Sequence, residues 1–385
     1  MGDNSLSVAL RLYGELKVGS ESMKSRQQQP FQWVVPHDYP IDDLERVIPL
    51  LRDADFLLPS FIPPEVGLYH PVGYVYAQQE GVNTFILPDR NIASRMAQLA
   101  QGRKTVNDKQ LRHCAALLSF AHLLEIQFEP GIAFHELAHR AGNEEAEQEL
   151  GWFRAADNAP PQDMLNVALG RCDGVSRTYA PHPVHLPDMA RPIKRWNRNY
   201  IAALKILELD YAKGKALDKM LHLLDWMRDD FVFAGPAVML ACVYLGTHSP
   251  SRKNVFKDKN SKDRAAAIAG VRNAAWDITH LSEFIRLVNQ DPDQLQSQYL
   301  FASFDSHLRL TTRLLLEIAK VGYGADQIAE QLTQWWSAKD AARIAHEIKA
   351  HLMRINSSSH VPKTSDDPDF ITKMIAAGER RISEL

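Results

Sequence analysis

The chain has 385 residues, of which 45% are hydrophobic and 24% charged, so one or two domains with a large core are expected. The formal net charge of -3 excludes a globally basic nucleic-acid coat but leaves room for a local basic strip. The three cysteines, Cys114, Cys172 and Cys242, lie far apart and form no CxxC pair, so the sequence supports neither a disulfide framework nor a thiolate zinc site.

Apolar residues recur mostly at helical spacing, which predicts a helix-rich protein. Segments 17–30 and 355–369 are rich in Ser, Gln, Pro and charge, and they predict flexible connectors. Two short apolar runs that end at Asp-containing turns predict strands at Asn83–Leu87 and Tyr299–Ala302. The predicted helices are Leu111–Ile126, Pro130–Ala141, Tyr200–Leu209, Leu217–Asp229, Val271–Val288 and Leu308–Val321.

The longest apolar run, Phe231–Leu245, contains Gly235 and Pro236 and predicts a buried core helix. No stretch approaches the roughly 20 apolar residues that a membrane helix needs, and no basic region followed by an apolar signal core opens the chain. We therefore expect a cytoplasmic protein without a membrane partner.

Four acidic residues lie at positions that suggest a role in ligand binding or catalysis. Asp89 and Asp305 each follow a predicted strand, and open α/β sheets bind their ligands at the carboxyl ends of strands. Glu136 and Asp277 lie on amphipathic helices, where an unpaired buried carboxylate is costly. Carboxylates that hold Mg²⁺ or Mn²⁺ can support phosphodiester hydrolysis, because the cation activates water and stabilises negative charge. The sequence therefore predicts a metal-bound acidic cluster.

The motifs that carry these acids are FILPD at Asp89, PGIAFHE at Glu136, NAAWDITHL at Asp277 and YLFASFDSHL with Ser303 and Asp305. Their order resembles that of the PIN-domain superfamily of metal-dependent nucleases. The resemblance implies that the four acids bind the metal and, together with Ser303, form the catalytic site. For each acid alone, the structural alternative is a helix cap or a solvated surface charge.

The resemblance also implies a fold and a substrate. The fold would be α/β, with a small, mainly parallel sheet surrounded by many helices. The substrate would be RNA or single-stranded DNA. The predicted domains are an N-terminal extension (1–79), a PIN-like domain (80–325) with a helical insertion at about 152–264, and a C-terminal helical extension (326–385).

Because this insertion separates Glu136 and Asp277 by more sequence than a minimal PIN domain has, the position of Asp277 in the motif order is not unique. Asp210, Asp229 or Asp230 could take its place.

A competing motif lies on the same helix as Glu136. His135 and His139 form an HExxH pattern, in which two imidazoles on one helical face can bind Zn²⁺ beside a Glu general base. The pattern continues to Gly142 and Glu145, which is similar to the metzincin spacing with Glu as the third ligand. A zinc-dependent hydrolase or peptidase is therefore the alternative.

Nucleic-acid contacts are predicted in the segment RPIKRWNRNY. Arg191, Lys194, Arg195 and Arg198 alternate there with Trp196, a mixture suited to phosphate contacts and base stacking. A catalytically inactive nucleic-acid-binding protein is the third alternative.

A second basic stretch, 252–264, serves equally well as a solvated loop. No phosphate-binding GxxxxGK[ST] and no GxGxxG after a strand occurs, which disfavours nucleotide hydrolysis and dinucleotide redox chemistry. The sequence is also compatible with homo-oligomerisation and with a regulatory protein partner.

Overall fold

The computed structural model describes residues 38–184, 187–250, 252, 255–291, 293, 295–357, 360 and 367–385. Within these residues the chain forms a helix-rich α/β fold with one four-stranded mixed sheet. The strands are β1 (Leu57–Pro59), β2 (Asn83–Pro88), β3 (Gln127–Phe128) and β4 (Ser297–Ala302). The helices are α1 (Ile41–Ala54), α2 (Pro71–Gln79), α3 (Arg90–Ala100), α4 (Lys109–Leu123), α5 (Gly131–Ala141), α6 (Asn143–Asp157), α7 (Pro161–Ala168), α8 (Lys194–Tyr211), α9 (Ala216–Asp229), α10 (Gly235–Leu245), α11 (Arg264–Gln290), α12 (Ser306–Val321), α13 (Ala325–Leu332), α14 (Ala338–Ile355) and α15 (Phe370–Glu384).

The chain divides into two compact units. The sheet unit comprises residues 38–191 and Gln290–Phe304, and it contains all four strands and α1 to α7. The helical unit comprises Pro192–Asn289 and Asp305–Leu385, and it contains α8 to α15. Each unit has its own hydrophobic core. The chain therefore leaves the sheet unit after α7 and returns to it for β4.

Some predicted domain segments can be located in these units. The described part of the predicted N-terminal extension contributes α1, β1 and α2 to the sheet unit. The described part of the predicted C-terminal extension lies in the helical unit. The predicted connector 17–30 lies outside the described residues, as does most of the predicted connector 355–369.

The sheet has the strand order β1-β4-β2-β3. β2 pairs in parallel with both β4 and β3, whereas β1 pairs with β4 in antiparallel orientation. The two central strands, β2 and β4, carry fully buried residues such as Ile86 and Leu300, as expected for strands covered on both faces. Because β2 and β4 are parallel, their carboxyl ends meet at the same edge of the sheet.

Three helices begin at an aspartate that caps the first turn. Asp89 precedes α3, Asp108 precedes α4 and Asp305 precedes α12. In each case a carboxylate oxygen accepts a hydrogen bond from the backbone N–H three residues further on, at 2.9, 3.0 and 2.8 Å respectively. Such a cap satisfies a backbone donor that has no partner inside the helix.

In the helical unit, the loop that precedes α11 crosses this helix at Gly270. A Cβ added at Gly270 would lie 1.9 Å from the carbonyl oxygen of Lys257, so the crossing requires glycine. Lys259 fixes the same loop, because its Nζ donates to Asp210 at 2.6 Å and to the Tyr244 hydroxyl at 2.8 Å. Backbone and side-chain contacts thus hold this loop in one place.

All six helices predicted from spacing are confirmed, with shifts at their ends, and so are the buried helix in Phe231–Leu245 and both predicted strands. The helix-rich α/β class is confirmed as well. β1 and β3 were not predicted. They have three and two residues, which is too short for an alternating apolar pattern to be recognised.

Candidate functional site

The carboxyl ends of β2 and β4 bring two predicted site residues into contact. Pro88 and Ala302 lie opposite each other in the parallel register, so the next residues, Asp89 and Ser303, leave the sheet side by side. The Ser303 hydroxyl donates a hydrogen bond to Oδ2 of Asp89 at 2.5 Å. Both side chains are buried, with 3% of Asp89 and none of Ser303 exposed. This contact connects the first and the last strand motif of the sequence.

The Asp89 carboxylate has further donors in α3. The N–H of Ile92 donates to Oδ1 at 2.9 Å, and the side-chain amide of Asn91 lies 3.4 Å from Oδ2. The neighbouring Arg90 binds Glu149, with both Nη atoms 2.7 Å from its carboxylate oxygens.

The four predicted metal-binding acids are divided equally between the two units. Asp89 and the half-buried Glu136 on α5 belong to the sheet unit. Asp277, which is half-buried on α11, and Asp305, which caps α12, belong to the helical unit. Asp89 and Asp305 thus both have the capping role that was the structural alternative, and for Asp89 the contact with Ser303 adds to it.

No complete metal cage is found in the part of the chain that the structure describes, since no group of three or more His, Cys, Asp or Glu could hold an ion there.

The three predicted substitutes for Asp277 have other roles. Asp210 accepts from Lys259, Asp229 forms an ion pair with Arg228, and Asp230 ends α9 as its C-terminal cap.

The HExxH histidines make hydrogen bonds to a nearby backbone segment of the sheet unit. Nδ1 of His135 donates to the carbonyl of Met189 at 2.7 Å, and Nε2 of His139 donates to the carbonyl of Arg191 at 2.9 Å. Glu145, the predicted third ligand, is exposed and belongs to α6, a separate helix. In this arrangement the histidines anchor residues 189–191 to α5.

The predicted nucleic-acid segment is only partly available to a ligand. Arg195 forms an ion pair with Glu283, and Trp196 stacks on Tyr200 with ring centroids 4.9 Å apart and contacts Trp276 at 5.6 Å. Arg195 and Trp196 therefore stabilise the helical unit. Burial would raise the pKa of Glu283, but Arg286 and Arg195 lower it below its usual value.

Three basic residues of the segment RPIKRWNRNY are more available to a ligand than Arg195 and Trp196. Arg191 and Lys194 are exposed, and Arg198 is half-buried. Among the ion pairs of the described residues, none involves these three side chains. They are therefore the members of RPIKRWNRNY that suit phosphate contacts best.

The second basic stretch is largely a packed loop in its described part, whereas Lys253 lies outside the described residues. Lys259 binds Asp210, and Nη1 of Arg252 lies 3.7 Å from the same carboxylate. Burial would raise the pKa of Asp210, but hydrogen bonds from Lys259 and Tyr244 lower it below its ordinary value. The stretch is therefore a loop, as the alternative expects, but Arg252 and Lys259 hold it against Asp210 and it is not fully solvated.

Sequence reasoning missed Arg95, a cation on α3 close to the Asp89 end of the sheet. Burial is the main cause that raises the pKa of the Cys114 thiol; Arg95 lowers it, and Asp89 and Asp108 raise it further. All three charged groups therefore lie near this buried thiol. The only signal in the sequence was the spacing of Arg95 from Asp89 in PDRNIASR.

No family model, no curated protein and no solved structure matches the chain. In the described residues, no helix is both long and apolar enough to span a bilayer.

Proposed function

We propose that the protein is a PIN-like, metal-dependent nuclease whose site is built around Asp89. The observation that carries the proposal is the hydrogen bond between Ser303 and Asp89, where the parallel strands β2 and β4 end side by side. A serine that orients a carboxylate at this edge agrees with the predicted Asp and Ser-x-Asp motifs. It also agrees with the general position of ligand sites in open α/β sheets.

A hard cation such as Mg²⁺ or Mn²⁺ is compatible with the residues at this edge. Mg²⁺ is usually held by one or two carboxylates, several waters and the phosphates of its substrate rather than by a complete protein cage. Asp89, whose carboxylate is held by the Ile92 N–H and the Ser303 hydroxyl, would be the first ligand. Glu136, which belongs to the same unit as Asp89, is the candidate for a second carboxylate.

The bound cation would make a water molecule more acidic and neutralise charge on a phosphodiester. The contribution of the chain is to hold the Asp89 carboxylate in one orientation, through the Ile92 N–H and the Ser303 hydroxyl. A fixed orientation of the metal ligand favours catalysis, because a small displacement of a catalytic group lowers the reaction rate. RNA or single-stranded DNA would be the substrate, with Arg191 of the same unit as a phosphate contact.

Asp89→Asn is expected to reduce metal-dependent cleavage of a single-stranded oligonucleotide about 100-fold or more, because metal-ion catalysis contributes several kcal/mol. Asn caps helices as well as Asp, so the variant should keep the start of α3 and remain folded. The measurement is turnover of labelled RNA and DNA with Mg²⁺ or Mn²⁺, compared with EDTA.

The control is Asp326→Asn, which makes the same change at an exposed residue in the first turn of α13 in the helical unit. Its turnover should stay within about twofold of the wild type, because neutralising one exposed carboxylate there changes stability little. Cleavage by Asp89→Asn at the wild-type rate, or equal cleavage in EDTA, would remove the proposal.

A further inference from the structure

Arg95 lies about one helical turn after Asn91 on α3, and Asn91 links Arg95 to Asp89, the cap of this helix. Nη1 of Arg95 donates to the backbone carbonyl of Asn91 at 3.2 Å, and the side-chain amide of Asn91 lies 3.4 Å from Oδ2 of Asp89. The guanidinium thus reaches back along α3 toward the start of the helix. It is a fixed positive group in the neighbourhood of Asp89.

An aromatic ring fixes the same guanidinium from another side. The Cζ atom of Arg95 lies 5.7 Å from the ring centroid of Phe304, the residue after Ser303. Phe304 in turn contacts Phe56, with centroids 4.9 Å apart. Arginine stacks well on aromatic faces and still presents its N–H groups to an anion. The orientation of Arg95 is therefore set before any ligand binds.

The charge of Arg95 is only weakly compensated by the protein. The carboxylate of Asp108 is 3.8 Å from Nε, which is beyond hydrogen-bond distance. This Nε is buried, and no acceptor bonds to it in the described part of the chain, whereas a quarter of the side chain (25%) is exposed. Arg90, five residues earlier, has a bidentate bond to Glu149 instead. Arg95 can therefore donate hydrogen bonds to a further anionic group.

We propose that Arg95 binds a backbone phosphate of the substrate strand beside Asp89. The inference rests on the proposed nuclease function and names the residue that orients its substrate. A guanidinium suits this role because its donors match the phosphate oxygens in a bidentate fashion. Since every nucleotide carries the phosphate, Arg95 would bind RNA and DNA strands alike and would not select a base.

The test is binding of fluorescein-labelled 12-nucleotide RNA and DNA of one sequence, measured in EDTA so that no cleavage occurs. Arg95→Ala should raise Kd about tenfold for both strands, because one charge-assisted contact is lost. The slope of log Kd against log salt should fall by about 0.7, the value for one phosphate contact on a single strand. Arg95→Lys should fall between Arg95→Ala and the wild type, because it keeps the charge and loses the fork.

Arg103→Ala is the matched control, since Arg103 is exposed just after α3 and donates only to Gln98 among the described residues. If Arg95→Ala binds as tightly as Arg103→Ala, or weakens for RNA alone, Arg95 is not a phosphate ligand. Loss of cleavage in Asp89→Asn together with unchanged binding in Arg95→Ala overturns this assignment only. Wild-type cleavage by Asp89→Asn overturns the proposed function.

Discussion

Replacing Gly270 with alanine is expected to destabilise the helical unit by about 3 kcal/mol or more. The added Cβ would lie 1.9 Å from the carbonyl oxygen of Lys257, and the atoms that it meets are backbone, which cannot rotate away. Either α11 or the loop must therefore move. Alanine favours a helix over glycine by only about 1 kcal/mol, so the clash outweighs the gain in helix propensity.

A displaced loop would also lose its anchors. Lys259 would withdraw from Asp210, whose side chain is only 11% exposed, and an unpaired buried carboxylate is strongly destabilising. Phe256, which is 1% exposed and contacts the Tyr244 ring with centroids 5.0 Å apart, would lose its place in the core. The effects of Gly270→Ala therefore spread along the whole loop.

Urea unfolding followed by tryptophan fluorescence measures this effect. Gly235→Ala is the control, because a Cβ there meets nothing closer than 3.8 Å, and its unfolding midpoint should hardly change. If Gly270→Ala unfolds at the same urea concentration as Gly235→Ala, the loop does not cross α11 as described. The signal reports mainly on the helical unit, which contains five of the seven tryptophans: Trp196, Trp226, Trp276, Trp335 and Trp336.

The second large effect is expected at His351, whose removal should flatten the acid dependence of stability. The side chain is 2% exposed and stacks on Phe233 with centroids 5.4 Å apart. Burial, followed by the charges of Arg354 and Arg228, lowers the pKa of His351 to about 4. Asp225 opposes this shift without cancelling it. The folded protein thus keeps the imidazole neutral.

The direction of the pH effect follows from the lowered pKa. An unfolded chain protonates this histidine below its usual pKa of about 6.5, whereas the folded chain does so only below about 4. The contribution of neutral His351 is therefore fully present above about pH 6.5 and is lost as the pH falls toward 4. At 1.36 kcal/mol per pKa unit, the loss amounts to at most about 3 kcal/mol.

The free energy of unfolding at several pH values between 4 and 7 tests this expectation in His351→Gln. Glutamine stays neutral throughout, so the variant should lose less stability on acidification than the wild type. His346→Gln is the control, because His346 lies on the same helix, α14, and is exposed. Parallel pH curves for the wild type and His351→Gln would contradict the prediction.

Most of the fold could be predicted from the spacing of apolar residues within short segments of the sequence. Apolar spacing located the central helices, and the two longer strands were recognised because each is a compact apolar run before an aspartate. The short edge strands β1 and β3 have no such pattern, and their pairing depends on β4 and β2. The division into two units depends on contacts between distant segments, which no local pattern encodes.

For the site, the sequence located Asp89 and Ser303 at strand ends but could not distinguish a ligand from a helix cap. Asp89 is a cap, and it also accepts from Ser303. A metal ligand and a helix cap both require an acidic or polar residue just after the strand, so the sequence pattern is the same for the two roles. The role of Arg95 could not be predicted from the sequence. It depends on the contacts of Arg95 with Phe304 and Asn91, and these contacts exist only in the folded chain.

The position of β4 has a consequence for synthesis on the ribosome. β4 separates β1 from β2 in the sheet, yet it is translated only after the whole of Pro192–Asn289. Until then β1 has no neighbour, and one edge of β2 is open in the nascent chain. Unpaired strand edges invite association with other chains, and pairing between distant segments is slow. A translational pause before Ser297 would therefore prolong the period in which these strand edges are exposed to other chains.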